Sequence, residues 1–101
     1  MTTEQQLRLA AAEARYDEAD RHSTLVVDIL EAMTREFYQK GTPELVENAR
    51  HMRRLAESLH AAYAKVLLRA TEEFGAAADA ALGDMTAEEE VYYREKLGDW
   101  D

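Results

Sequence analysis

The feature that most constrains this chain is how rarely it is interrupted. No glycine or proline occurs before Gly41, and then Gly41-Thr42-Pro43 arrive together. Glycine suits the position just past a helix end, threonine an N-cap, and proline the first helical residue. One stop-and-restart signal therefore divides two long runs of helix-compatible sequence. Thr3 with Gln6, or equally Thr2 with Gln5, fits a capping box at the start of the first run. The second run passes Gly75, because Ala76, Ala77, Ala78, Ala80, Ala81 and Leu82 are good helix formers, and stops at Gly83. Thr86 with Glu89 repeats the box, opening a short segment that Gly98 closes. The expected organisation is one domain, residues 1–101: a helix over about 3–40, a turn at 41–42, a helix over about 43–82 and a short acidic helix over about 87–97.

Both long runs carry apolar residues at alternating steps of three and four. The first has Leu9, Ala12, Tyr16, Ala19, Ser23, Val26, Leu30, Met33 and Phe37. The second has Leu45, Ala49, Met52, Ala56, Leu59, Tyr63, Val66 and Ala70. That is a heptad seam. If the chain folds back at Gly41, facing residues have numbers that add to 82, as Phe37 and Leu45, Met33 and Ala49, or Val26 and Ala56 do. The expected fold class is all-α, an antiparallel two-helix hairpin of coiled-coil type plus the short C-terminal helix.

A hairpin buries one stripe of each helix, and apolar residues lie off this seam on both sides. One flank holds Val27, Val46, Leu67 and Phe74, which the C-terminal segment can cover with Val91, Tyr92, Leu97 and Trp100. The other holds Ile29, Leu55 and Ala62, with Leu25 nearby. An exposed flank of that length favours association. A second copy packed through Leu25, Ile29, Leu55 and Ala62 would give a four-helix bundle, so a homodimer is expected.

Charge narrows the partner classes. The chain has 21 acidic and 12 basic residues, a formal net charge of −9. Residues 76–101 hold eight of the acids and two of the bases. There Glu88, Glu89, Glu90, Tyr92, Tyr93, Glu95, Asp99 and Trp100 interleave carboxylates with aromatics, which fits contact with a basic protein surface. A strongly acidic chain repels phosphate, so direct nucleic-acid binding is not expected. The basic cluster Arg50, Arg53 and Arg54 has Glu47 and Glu57 at neutralising helical spacing. No run of about 20 apolar residues is present to span a bilayer, and the start lacks a signal-peptide pattern, so a cytoplasmic location is expected. With no cysteine, disulfides and thiolate metal sites are excluded.

Residues able to carry chemistry are sparse. Glu18 and His22, Glu47 and His51, and Glu57 and His60 pair carboxylate with imidazole at helical spacing. Glu57-x-x-His60 has the spacing of diiron bundles, but such a site needs four inward carboxylates. Glu57 projects away from the seam, so a flank hydrogen bond is expected and no metal or cofactor. Arg54 to His60 resembles the R-x5-H signature of HEPN ribonucleases, in which arginine and histidine act on a scissile phosphate. Tyr16 and Tyr63, with Ser23, place hydroxyls on the seam to specify register or line a small pocket. A hairpin of this length is similar in architecture to WXG100 secretion substrates, though its turn reads Tyr38-Gln39-Lys40-Gly41 without their Trp-x-Gly. In size, helicity and acidity the chain resembles small phage-encoded inhibitors such as anti-CRISPR proteins, without a shared motif. The expected function is non-enzymatic: an acidic helical protein that binds, and in the sharpest form inhibits, a basic partner that handles nucleic acid. A helical adaptor in a bacterial assembly and a small enzyme using His60 are the alternatives.

Overall fold

The computed structural model describes residues 1–98 and is an all-α helical hairpin with a short third helix. Helix α1 spans Thr3–Met33 and continues as a π-helical turn over Thr34–Tyr38. Helix α2 spans Pro43–Ala81, followed by a 3₁₀ turn at Leu82–Asp84, and α3 spans Ala87–Leu97. Asp99 and Trp100 lie outside the described residues. At the N-terminus the reciprocal box is made by Thr2 and Gln5: the Gln5 amide donates to Thr2 Oγ1 (3.1 Å) and the Thr2 amide to Gln5 Oε1 (2.8 Å). Thr42 accepts from the Leu45 amide to start α2, and Thr86 with Glu89 caps α3 in the same reciprocal way. Helix α2 passes Gly75 unbroken.

The chain divides into two compact units. One comprises residues 1–18 with those from 68 onward, and the other Ala19–Leu67. In the first, three helical segments surround a true core: Leu9, Ala12, Phe74, Ala77 and Ala78, with Met1, Tyr16, Met85, Tyr93 and Leu97 packed against it. Phe74 is fully buried, its ring 5.5 Å from that of Tyr16 and edge-on to Tyr93 at 5.8 Å. The alanines at 12, 77, 78 and 81 let the helices approach closely enough to close over that single large ring.

The second unit is two helical arms and a turn, and its buried set is only Ala19, Val26, Met33 and Ala49. Here the pairing differs from the register expected from folding the sequence at Gly41. Leu45, Met52, Leu59 and Val66 do not line the seam; they are 47–54% exposed. Val46, Arg53, His60 and Leu67, the next residue in each case, are half-buried in their place. Side-chain contacts agree: Arg53 reaches Thr34 and Tyr63 packs on His22, pairs whose numbers add to 87 and 85 rather than 82. The reason lies along α2 itself. It is one unbroken helix, so the buried positions Phe74, Ala77 and Ala81 set its heptad phase, and stepping back by three and four arrives at residues 67, 63, 60, 56, 53, 49 and 46.

The π turn adjusts α1 locally. A π turn holds more residues than an α turn, so the residues after it are rotated about the helix axis. Tyr38 turns inward, with the Arg53 guanidinium 5.7 Å from its ring centre, and Phe37 turns outward to 36% exposure. Thr34 Oγ1 donates to the Leu30 carbonyl (2.9 Å), the bond back along the helix that accompanies such distortions.

Candidate interaction surfaces

Three surfaces carry the features that the sequence pattern singles out. The first is the apolar face of unit 19–67. Helix α2 presents Leu45, Asn48, Met52, Leu55, Leu59, Ala62 and Val66 at steps of three and four, every one of them exposed. This is a second heptad stripe, displaced by one residue and therefore ~100° around the helix from the buried one. Helix α1 has the same offset at Leu25, Ile29 and Ala32, also exposed. In antiparallel helices, an equal displacement toward the N-terminus rotates both stripes to the same side. The two form one face, and at the turn end Phe37, Leu45, Asn48, Ala49 and Met52 line an apolar depression of about 60 Å³. Leu25, Ile29, Leu55 and Ala62 all lie on this face, while Leu45, Met52, Leu59 and Val66 join it from the seam to which hydrophobicity alone assigns them. The signal that finds these four is the phase of Phe74, Ala77 and Ala81 carried backward.

The second surface is a polar cleft of about 360 Å³ beside the π turn, lined by Leu30, Glu31, Thr34, Arg35, Gln39 and Arg53. Arg53 is held in place rather than offered: it donates to Thr34 Oγ1 at 2.9 Å and to Glu57 Oε1 at 3.0 Å. That bond takes the Glu57 carboxylate toward Arg53, not His60, so the Glu57-x-x-His60 spacing assembles no ligand pair. Glu47 pairs with Arg50 at 3.7 Å, as its spacing implies. Among the described residues no three His, Asp or Glu side chains gather closely enough to hold a metal ion. Arg54 is exposed and His60 half-buried, and six residues of separation put them ~120° apart around α2.

The third surface is α3. Its carboxylates and aromatics are largely engaged within unit 1–18/68–98. Glu89 completes the N-terminal cap, and Glu90 Oε1 accepts from Arg94 at 3.0 Å. Tyr93 lies on the core, and burial raises its pKa above the ordinary phenol value. Leu97 is half-buried over the core, while Val91 and Tyr92 are exposed, so the covering roles fall to Tyr93 and Leu97. Tyr92 donates its hydroxyl to Glu13 Oε2 (2.6 Å), and that bond raises its pKa. The side chains left outward are Glu88, Val91 and Glu95, an acid–apolar–acid stripe at steps of three and four.

Lys96 ties α3 to α1. Its ammonium donates to Glu13 Oε2 (2.9 Å) and lies 2.9 Å from Asp17 Oδ1. Partial burial alone would lower its pKa, but the bonds to Asp17 and Glu13 outweigh that and raise it. Lys96→Met is expected to cost about 1–2 kcal/mol at neutral pH, the range of a partly screened charge-assisted pair. The raised value fixes the sign with pH. The lysine's contribution is complete below the unfolded pKa of about 10.4 and declines as pH climbs through the higher folded one. Urea midpoints of wild type and Lys96→Met should therefore stay apart by a constant amount from pH 7 to 9 and converge above that. A difference that grows with alkalinity would contradict the assignment.

Among the described residues no helix is long and apolar enough to cross a membrane. No family model, no curated protein and no solved structure matches the chain.

Proposed function

We propose that this chain is a non-enzymatic interaction protein that self-associates, its hairpin unit completed by a second copy to make a four-helix bundle. The observation that supports this most directly is the imbalance within unit 19–67. Its four buried apolar residues include two alanines, whereas seven large apolar side chains on one face are 47–63% exposed. Isolated pairs of helices gain most of their stability from tertiary burial, and an apolar face of this extent marks a contact surface. Light scattering coupled to size exclusion tests the reading. A mass of twice 11.5 kDa at micromolar concentration is expected, with Leu55→Glu/Leu59→Glu reducing it to that of one chain. Wild type eluting strictly as one chain overturns it.

The outward stripe Glu88-Val91-Glu95 supports a second contact, with a basic protein surface. Two carboxylates flanking an apolar residue, on the end of the chain that holds most of the net charge, suit a partner whose own ligand is acidic, such as a protein that handles nucleic acid. Blocking that partner is the sharpest form of the reading. Glu88→Lys/Glu95→Lys leaves the cap and the Lys96 cluster intact. It is expected to abolish salt-sensitive capture of a basic partner from host lysate while the fold is retained, with a stability loss of no more than about 1 kcal/mol from placing Lys in the first turn of α3. Unchanged capture would rule this contact out.

A further inference from the structure

The apolar face also carries information about how its occupant lies. Reading the α2 stripe from its two ends toward the middle pairs large apolar residues, Leu45 with Val66 and Met52 with Leu59, about Leu55 at the centre, with Asn48 falling opposite the small Ala62. Their numbers add to 110 or 111. A stripe with this symmetry is complementary to itself when turned end for end, which is the requirement of a two-fold, isologous interface.

The charges bordering the stripe obey the same symmetry. On the side of α2 away from the hairpin seam, the bordering positions are Glu44, His51, Ser58 and Lys65. In an end-for-end pair, Glu44 of each copy falls beside Lys65 of the other, and His51 beside Ser58. A parallel pair would instead put the two copies of this border on opposite sides of the interface, so only the end-for-end pair brings Glu44 of one copy beside Lys65 of the other. The seven half-exposed apolar side chains offer on the order of 100 Å² each. That approaches the roughly 800 Å² per partner of a stable interface.

Resting on the self-association proposed above, we infer that two copies pack antiparallel across a dyad at Leu55, with Glu44 of each bordering Lys65 of the other. Helix α1 adds Leu25 and Ile29 to the same contact.

The absence of cysteine makes the arrangement directly measurable. Single cysteines are introduced into the full chain at Leu55, Leu45 and Val66, and mild oxidation is monitored on non-reducing gels. Leu55→Cys is expected to link to itself. Leu45→Cys and Val66→Cys, each alone, should stay largely unlinked, because ~20 residues of helix separate the two copies of either position. Mixing those two variants should give the cross-linked heterodimer. A charge exchange provides a second readout. Glu44→Lys or Lys65→Glu alone should weaken dimerisation about 3–10-fold at low salt, and the double exchange should restore it. A dimeric protein in which Leu45→Cys links to itself, or in which the double exchange is no better than the singles, overturns the antiparallel arrangement while leaving self-association standing. A strictly monomeric wild type removes both.

Discussion

Phe74→Ala is expected to lower the unfolding free energy by about 3–5 kcal/mol, the range for truncating a fully buried aromatic. Phe74 is 0% exposed and is the one large ring at the centre of its cluster. Its neighbours Ala12, Ala77 and Ala78 have no side-chain length with which to fill the vacated space. The rings of Tyr16 and Tyr93 each lose a face or edge partner, so the substitution removes the main apolar anchor of α3 along with the core itself. For a chain of this size, with a total stability of about 5–15 kcal/mol, such a loss is a large fraction. Urea denaturation monitored by circular dichroism at about 222 nm, where helix content is read, measures it. Phe74→Leu, which retains most of the volume, should cost distinctly less. Equal midpoints for wild type and Phe74→Ala would mean that the cluster is not the core.

The second large effect is expected at the turn. A Cβ on Gly41 would run into the carbonyl oxygen of Phe37, the same atom that accepts from the Gly41 amide at 3.2 Å. That neighbour is backbone and cannot rotate away as a side chain would, so Gly41→Ala must reopen the last turn of the first arm. A cost of about 2–3 kcal/mol is expected, the upper range of steric overpacking. Gly75→Ala is the control. Nothing lies within 4 Å of its added Cβ, and it sits inside α2, so helix propensity alone predicts a gain of up to about 1 kcal/mol. If both substitutions move the urea midpoint alike, the close approach at Gly41 is not what holds the turn.

Local structure in this chain is written in local chemistry. The stop at Gly41, the restart at Pro43, the reciprocal caps of Thr2 with Gln5 and Thr86 with Glu89, and the passage of α2 through Gly75 each depend on residues within one turn of each other. The open flank of Leu25, Ile29, Leu55 and Ala62 is legible too, because a two-helix hairpin has more apolar positions than one seam can bury. The seam's phase is not legible in the same way. Leu45, Met52, Leu59 and Val66 look more buried than Arg53 and His60 when each is judged by hydrophobicity alone. A long helix has a single phase, however, and the Phe74 core further along α2 sets it.

The α3 surface shows the same division from the other side. Its composition announces acidity and aromatic content, but the roles separate only in three dimensions. Glu89 caps, Glu90 pairs with Arg94, Tyr93 packs, Tyr92 bonds to Glu13, and Glu88 and Glu95 face outward. The π turn at Thr34–Tyr38, which exchanges the roles of Phe37 and Tyr38, has no marker in a one-dimensional pattern, since it arises where two arms must meet around Arg53. Sequence alone determined that this chain is helical, where it breaks and that one face exceeds what a hairpin can cover. Tertiary packing decided which side of each helix is that face, because rotation about a helix axis costs nothing locally and is settled only by the partner against which the helix buries its largest side chain.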